Sequence, residues 1–394
     1  MTLRAGRYPG LDAATLLTNA RRLTGLDDFG DGRFRVGLDK FLSGATLEGE
    51  LNATGAAIVE ATVTRFLVNR LRFEDDLKRH PEILDEPIEP PVIIMGLPRT
   101  GTTKLHRMMA VDPRFQSLRA WQIMNPAPFP GGTGPDGRDP RIAAAEQADA
   151  MIDAAVPELL AGHPIRAEDV DEEFVTLMEM NFDYLLLAMR LDAPGFESWV
   201  KAQPVLPNYR YLRRCLQYLQ WQTGKAGKPY LLKSPLHLSA LEALLEVFPG
   251  AVLVHCHRDP AAAATSFMRL TEIARGLCYD RVDAHALGSW VLAVLGEQMQ
   301  LNLEQRAALG ERLKIVDVAF RDIAHDPFAV IDRICADRGW SPTAQARDAM
   351  LAWEKAHPAD RFGKFHYSME HYGKTPKDYE SVFSAYMRQF APLL

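Results

Sequence analysis

The chain has 394 residues, of which 47% are hydrophobic, with 45 basic against 51 acidic residues. The net charge of -6 provides no overall field for a nucleic acid or an anionic membrane, so an anionic ligand must be held by a local cluster of cations. The four cysteines lack metal-binding spacing, and no apolar run reaches the ~18 residues of a membrane span or forms a signal peptide. We therefore expect a cytoplasmic protein without a membrane span or a nucleic-acid partner; the sequence does not predict its oligomeric state.

Residues 11–86 show helical periodicity with charged faces, which predicts a helical N-terminal segment over residues 1–86. An apolar run at residues 92–95 then predicts a short buried strand. Three more apolar runs follow at residues 229–235, 251–260 and 313–320, separated by helical sequence. Parallel strands joined by crossover helices are the expected topology, so the pattern predicts an α/β fold with a P-loop-like parallel sheet flanked by helices.

The segment between the first two predicted strands is long. Residues 125–140 are rich in proline and glycine and are expected to form an exposed loop or lid. Residues 140–225 have a mostly helical pattern that exceeds one crossover, so we predict a helical cap insertion over the site. All these segments are expected to belong to a single domain that spans residues 1–394.

The stretch "GLPRTGTT" connects the first strand to a helix. Gly96 and Gly101 indicate a tight turn, and the N–H groups at the start of the helix favour an anion. The glycine spacing is that of the ATP and GTP loop, but Thr102 stands where that loop has its lysine, and Arg99 supplies the cation. The alternative is a structural turn with a surface arginine.

Cations and hydroxyls recur at three predicted strand ends. They are Arg99, Thr100, Thr102 and Thr103 after the first strand, Lys233, Ser234 and His237 after the second, and His257, Arg258, Asp259, Thr265 and Ser266 after the third. Ligands of open parallel sheets bind beyond this edge. The pattern therefore predicts a ligand with more than one separated phosphate-like group.

Two of these motifs, "GLPRTGTT" and "HRDPAAAATSF", together resemble the nucleotide-binding signatures of sulfotransferases that use 3′-phosphoadenosine-5′-phosphosulfate (PAPS), especially their bacterial branch. The segments "TGLDDFGD" and "LLKSPLH" add to the resemblance. It implies that the first loop, with Arg99, Thr100, Gly101, Thr102 and Thr103, holds the 5′-phosphosulfate, and that Arg258 and Ser266 hold the 3′-phosphate. It further implies that Phe320 lies near the adenine and that Arg361, Gly363 and Lys364 form a late basic loop over the 3′-phosphate.

The resemblance implies transfer of a sulfuryl group from PAPS to a hydroxyl of a small-molecule, carbohydrate or lipid acceptor, without a metal ion. The missing Walker lysine agrees with this reading, because sulfuryl transfer needs no magnesium ion between β and γ phosphates. Two alternatives stay open. One is a P-loop kinase or nucleotide hydrolase, which the glycine spacing alone supports. The other is a nucleotide-binding module that has lost its chemistry.

The catalytic candidates are Arg99, Lys233 and His237. Arg99 would stabilise the leaving 5′-phosphate and Lys233 would contact the sulfuryl group. His237 is the first candidate for the base if it faces the cleft at the start of the next helix; the alternative is that it only caps or packs. Related sequences often carry a base in a Trp-Glu pair, but this chain has Trp121 and Gln122, and a neutral amide cannot accept the proton.

Either the base is displaced, or the acceptor is already acidic enough to need little help from a base. The segment "AEDVDEEF" could supply Glu168, Asp169, Glu172 or Glu173, although a charge run of this kind is usually a solvated helix face. The two histidines of "HCH", residues 255–257, have no further ligands nearby in sequence, so no metal site is predicted there.

Overall fold

The protein is described from a computed structural model, which covers residues 8–134, 136–173, 176–358, 361–363 and 365–394, the side chain of residue 186 excepted. At its centre is a parallel sheet of four strands in the order β2-β1-β3-β4. The strands are β1 (Val92–Gly96), β2 (Leu231–Lys233), β3 (Val252–His257) and β4 (Ile315–Ala319). The prediction of a parallel α/β sheet is confirmed.

Helices surround the sheet, as predicted. Those before it are α1 (Ala13–Thr24), α2 (Phe34–Ser43) and α3 (Ala53–Arg79), with a π-helical turn at Gly44–Glu48. Those between β1 and β2 are α4 (Thr102–Met109), α5 (Ala120–Met124), α6 (Pro140–Ala155), α7 (Glu158–Gly162), α8 (Leu185–Arg190), α9 (Pro194–Lys201) and α10 (Leu206–Thr223). Those beyond β2 are α11 (Leu241–Val247), α12 (Pro260–Gly276), α13 (Ala284–Leu309), α14 (Phe320–His325), α15 (Pro327–Ala336), α16 (Ala344–Ala356) and α17 (Pro376–Phe390).

Each face of the sheet packs on a separate apolar core. Successive side chains of a strand point to opposite faces, so Ile93 and Met95 belong to one core while Val92 and Ile94 belong to the other. Both faces are covered, and for that reason β1 reads as a continuous apolar run without polar alternation. The sheet is thus buried on both sides, and only its edges are left to carry polar groups.

The start of α12 fixes two predicted site residues. The Asp259 carboxylate accepts hydrogen bonds from the backbone N–H groups of Ala261 (3.3 Å) and Ala262 (3.1 Å), and Pro260 occupies the first helical position, where its missing N–H is not needed. This cap ends β3 and begins the helix within three residues. Arg258 therefore lies at the carboxyl end of β3 and Ser266 lies two turns into α12.

Among the described residues, no helix combines the length and the apolar character that crossing a bilayer requires. The four cysteines are all buried free thiols.

Candidate active site

The loop after β1 has an unusual backbone. Arg99 has φ 72° and Gly101 has φ 85°, both in the left-handed region, which is uncommon for a residue with a Cβ such as arginine. A Cβ at Gly101 would lie 3.0 Å from the Phe320 ring, so only glycine fits there without displacement. The Thr100 hydroxyl donates to the Leu97 carbonyl at 2.7 Å and is fully buried. Thr100 therefore holds the turn closed, while the loop delivers its backbone to the N-terminus of α4.

Arg99 connects three parts of the chain. Its Nε donates to Oγ of Ser266 on α12 at 3.2 Å, and its NH1 donates to the carbonyl of Gly162 at the end of α7. Its guanidinium also lies 5.6 Å from the centre of the Phe365 ring. Burial lowers the pKa of Arg99, and the nearby Arg258 lowers it further. Two cations are thus held close together, an arrangement that favours an anion between them.

Arg258 lies on the other side of the same loop. Its NH1 donates to the Arg99 carbonyl at 2.7 Å, and its guanidinium stacks 4.2 Å from the centre of the Phe320 ring. The loop after β1, the end of β3 and the start of α14 therefore meet at one point. The structure brings Arg99, Gly101, Arg258, Ser266 and Phe320 together although up to 221 positions, 320 minus 99, separate them in the sequence.

Lys233, at the end of β2, is 1% exposed and forms an ion pair with Glu172. Its Nζ also donates to Oγ1 of Thr103 at 3.3 Å, which places it at the first turn of α4. Burial lowers the pKa of Lys233 to about 7, against an opposing effect of Asp171. Burial in turn raises the pKa of the Asp171 carboxyl, although Lys233 lowers it.

The acidic segment at residues 168–173 is divided among different environments. Glu168 is exposed, and Asp169 forms an ion pair with Arg107 at 3.2 Å. Glu172 reaches a large cavity, but Glu173 is fully buried behind it. The interpretation as a solvated helix face is wrong for Glu172 and Glu173, because the segment is not helical and both side chains point inward.

His237 does not lie on the wall of the cavity. It is fully buried; its Nδ1 is 2.7 Å from the Tyr209 hydroxyl and its Nε2 is 2.5 Å from Oε1 of Glu173. The other oxygen of Glu173 accepts the backbone N–H of Lys233 at 2.9 Å. Burial raises the pKa of Glu173, but the hydrogen bond and charge of His237 outweigh it, so the pKa is lowered overall. The expectation that His237 faces an acceptor is corrected: both ring nitrogens are engaged inside the protein.

Gln122, which stands where related sequences have a base, lies on α5, where its Oε1 accepts the backbone N–H of Arg119 at 3.0 Å and so caps the helix. The expectation of a late basic loop over the nucleotide differs from the structure. Arg361 and Gly363 are exposed and do not line the cavity, and the Arg361 guanidinium lies over the neighbouring Phe362 ring. Lys364 is outside the described residues. The contact with Arg99 comes instead from Phe365.

A cavity of about 640 Å³ lies beyond the carboxyl ends of the strands. Its wall includes Arg99, Gly101, Thr102, Thr103, Arg258 and Phe320 from the predicted site, whereas Lys233, Ser266, Thr100 and His237 lie behind that wall. The cap segments contribute His163, Asp171 and Glu172, and apolar side chains such as Met189, Phe267 and Leu270 cover the remainder. One end of the cavity is therefore cationic and the other is mostly apolar.

In the part of the chain that the structure describes, two groups of side chains have donor atoms close enough for a metal ion: His255, His257 and Asp317, and His163, Asp171 and Glu172. In the first group, Arg306 donates to Nδ1 of His255 at 2.6 Å and to Oδ1 of Asp317 at 2.7 Å. A guanidinium thus already neutralises Asp317. In the second group, the Lys233 ammonium pairs with Glu172. The absence of a metal stays a prediction.

Sequence reasoning did not identify His163, Asp171 or Phe365 as site residues. None of them follows a predicted strand, because they come from the insertion and from the C-terminal part of the chain. The acidic run that contains Asp171 did not single out one carboxylate, and the predicted late basic loop ended one residue before Phe365.

Comparison with known proteins identifies the family of the chain. Residues 90–344 match the sulfotransferase family. The omega-hydroxy-beta-dihydromenaquinone-9 sulfotransferase Stf3 of Mycobacterium bovis is 25% identical over 255 residues, which are 62% of this chain and 62% of that protein. The chain thus matches about 62% of the length of the curated relatives.

Solved structures are similar over nearly the whole chain. The crystal structure of sulfotransferase STF9 from Mycobacterium avium has a TM-score of 0.85 and 28% identity, covering 96% of this chain and 97% of that one. The crystal structure of sulfotransferase STF1 from Mycobacterium tuberculosis has a TM-score of 0.82 and 25% identity, covering 96% of this chain and 100% of that one. With the family match, these likenesses confirm what the paired loop motifs indicated: the chain belongs to the sulfotransferase family.

Proposed function

We propose that the protein transfers a sulfuryl group from PAPS to a hydroxyl of a small-molecule acceptor with a substantial apolar part. The observation that carries the proposal is the contact between Arg99 and Ser266, since it brings the predicted 5′- and 3′-phosphate sites within reach of one nucleotide. We also propose that residues 1–394 act as one domain in which the insertion at 140–225 covers the acceptor. A cytoplasmic location stays a prediction, with which four free thiols agree.

The residues present fit a doubly anionic nucleotide. Arg258 donates to the Arg99 carbonyl in the loop that leads into α4, and Gly101 in the same loop packs closely against the Phe320 ring. The first N–H groups of a helix lack intrahelical partners and favour negative charge. Arg99 has a lowered pKa because it is buried next to Arg258, and a bound phosphate would relieve that repulsion.

When bound, PAPS supplies a sulfuryl group whose bond to the 5′-phosphate oxygen breaks as the acceptor oxygen bonds to sulfur. Arg99 and the N–H groups of Thr102 and Thr103 stabilise the charge that develops on the leaving phosphate. Each charge-assisted hydrogen bond of this kind contributes about 1.5–3 kcal/mol. Lys233 lies behind the cavity wall, where it bonds to Thr103 of the same turn and adds positive charge next to the site.

Glu172 is the base in this proposal. It lines the cavity, whereas His237 and Glu173 do not, and its contact with Lys233 stabilises the ionised carboxylate that can accept the hydroxyl proton. His237 and Glu173 act as positioning residues: His237 fixes one oxygen of Glu173, and the other oxygen holds the backbone of Lys233. Catalysis through Glu172 would explain how the chain functions with Gln122 in the Trp-Glu position.

The test measures nucleotide binding and sulfuryl transfer separately. Calorimetry should show tighter binding of the product 3′-phosphoadenosine-5′-phosphate (PAP) than of ATP, without magnesium ion. Radiolabelled PAPS incubated with a panel of long-chain alcohols and phenols should give a labelled product, which Arg99→Ala abolishes and which Arg210→Ala, at an exposed ion pair with Glu246, leaves unchanged. A preference for ATP or a requirement for magnesium would contradict the proposal and favour a kinase; PAP binding without any transfer would favour a non-catalytic module.

A further inference from the structure

Gln298 is a polar side chain that the function described above does not use. It lies on α13, is 3% exposed, and lines the cavity. Neither its Oε1 nor its Nε2 has a hydrogen-bond partner among the described residues. Buried amides are normally satisfied, since leaving both atoms unpaired is unfavourable. An unpaired amide that faces a cavity is therefore suited to a ligand.

The position of Gln298 assigns it to the acceptor half of the cavity. Asn302, one turn further along α13, donates to the carbonyl of Leu238 at 2.8 Å. Residues four apart lie on the same helix face, so this face of α13 is turned toward the 3₁₀ segment Pro235–Ser239, which follows Lys233. The nucleotide half, with Arg99 and Arg258, is built from other elements.

Much of the wall of this half is apolar. Leu236, Met189, Leu270 and Ala274 line it, and the hydroxyl of Thr271 on α12 already donates to the Phe267 carbonyl at 2.9 Å. A single amide in such a wall discriminates strongly, because a ligand without a matching group leaves both amide atoms unpaired.

We propose that Gln298 hydrogen-bonds a second, neutral polar group of the acceptor, a hydroxyl or amide that both donates and accepts, carried on an apolar chain. This inference rests on the proposed function and specifies its acceptor. A neutral group is favoured because the amide donates through Nε2 and accepts through Oε1. An anion could accept from Nε2 but would be repelled by Oε1, and a cation could donate to Oε1 but would be repelled by the N–H groups of Nε2. The acceptor is therefore an apolar molecule with two separated polar groups, one of which is sulfated.

The experiment uses the full chain saturated with PAP. Binding of straight-chain alkanols is compared with binding of the α,ω-diols of the same lengths, by calorimetry, for the unaltered protein, Gln298→Leu and Gln300→Leu. Gln300 is the matched control, because it is exposed on the same helix and bonds only to Glu304. We expect one diol length to bind the unaltered protein about five- to tenfold more tightly than its alkanol, the effect of a hydrogen bond in a buried site. Gln298→Leu should abolish this preference and Gln300→Leu should retain it.

Thermal unfolding of the free protein gives a second readout. If the amide is reserved for a ligand, Gln298→Leu leaves the melting temperature unchanged or raises it, because it removes two unpaired atoms. A fall in melting temperature together with an unchanged diol preference would overturn the inference and assign Gln298 a structural role. The inference is also overturned if the unaltered protein and Gln298→Leu show the same preference for diols over alkanols at every chain length. Failure of the proposed function is recognised separately, by absent PAP binding or absent transfer from labelled PAPS.

Discussion

The Nε atom of Arg99 lies 3.2 Å from Oγ of Ser266, although 167 positions separate the two residues in the chain. The first belongs to the loop after β1 and the second to α12, two turns beyond β3. Because β1 and β3 are adjacent and parallel, their carboxyl ends open on the same edge of the sheet. One nucleotide with phosphates on both sides of its ribose can therefore contact both segments.

Ser266→Ala tests the 3′-phosphate site. We expect its affinity for PAP to fall about three- to tenfold, the effect of one lost hydrogen bond, while its affinity for ADP, which lacks the 3′-phosphate, stays the same. Calorimetry with both nucleotides measures this difference. Ser289→Ala is the control, since Ser289 is exposed and bonds to Lys374. Equal losses for PAP and ADP would indicate a general disturbance of the loop and not a lost phosphate contact.

Glu172→Gln tests the base. The amide keeps the size of the side chain but cannot accept the proton, so we expect kcat to fall about 100-fold or more, within the range that general base catalysis contributes. Affinity for PAP should be retained. Glu168→Gln is the matched control, because Glu168 is exposed in the same segment. A normal kcat for Glu172→Gln would exclude the assignment and direct attention to Asp171 or His163, which line the same cavity.

The effect of His237→Ala separates a base from a positioning residue. Removal of His237 leaves the buried Glu173 carboxylate without its partner, and breaking a buried pair in this way costs about 3–5 kcal/mol of unfolding free energy. We expect a large loss of stability in urea unfolding, with kcat reduced less than about tenfold in protein that is still folded. The reverse pattern, normal stability with kcat lost, would restore His237 as the base.

The strand positions could be predicted from the sequence since a strand buried on both faces is a continuous apolar run. The predicted ends of the strands were less accurate. The apolar run at 229–235 contains only the short strand Leu231–Lys233, because Pro229 and Pro235 lack the N–H that the hydrogen-bond ladder of a sheet needs. The positions of the cations and hydroxyls could also be predicted, since they depend only on where each strand ends.

The acceptor side of the site could not be predicted in the same way. Glu172 and Glu173 are adjacent, yet one reaches the cavity and the other is buried under it. No periodicity separates them, because the segment that carries them is irregular and its path is set by tertiary contacts such as the ion pair between Arg107 and Asp169. Gln298 lies on a regular helix, and no sequence pattern shows that its buried amide is left without a partner among the described residues.

Nucleotide binding should depend on pH through Lys233. Burial lowers its pKa to about 7, while the ion pair with Glu172 favours the charged form, so at about pH 8 part of the free protein has neutral Lys233. A phosphate group nearby favours the charged form and raises the pKa, and PAP binding at that pH should therefore take up a proton. The affinity should fall as the pH rises above about 7. Calorimetry in two buffers of different ionisation enthalpy measures the uptake, which Lys233→Met should remove and Lys228→Met, at an exposed site, should retain. Undiminished uptake in Lys233→Met would rule Lys233 out.

Stability should depend on pH through His255 and His257, which lie outside the cavity wall. Burial lowers the pKa of both imidazoles. The hydrogen bond of His257 to Asp317, at 2.8 Å, raises the pKa of His257 but does not outweigh burial. The unfolded chain therefore binds more protons than the folded protein below about pH 6.5, so folding stability falls with decreasing pH by up to about 1.4 kcal/mol per pH unit for each group. Urea unfolding at several pH values between about 5 and 8 measures this slope.

The slope can be assigned with one substitution. His255→Phe removes a titrating group from a site that already packs against the Phe390 ring, 5.9 Å from centre to centre, so the slope below about pH 6.5 should decrease. His325→Phe, at an exposed position, should leave it unchanged. The substitution also removes the acceptor of an Arg306 hydrogen bond, which lowers stability at every pH; only the change of slope reports on titration. An identical slope in His255→Phe would mean that His255 is not protonated on unfolding, and that the acid sensitivity comes from other groups.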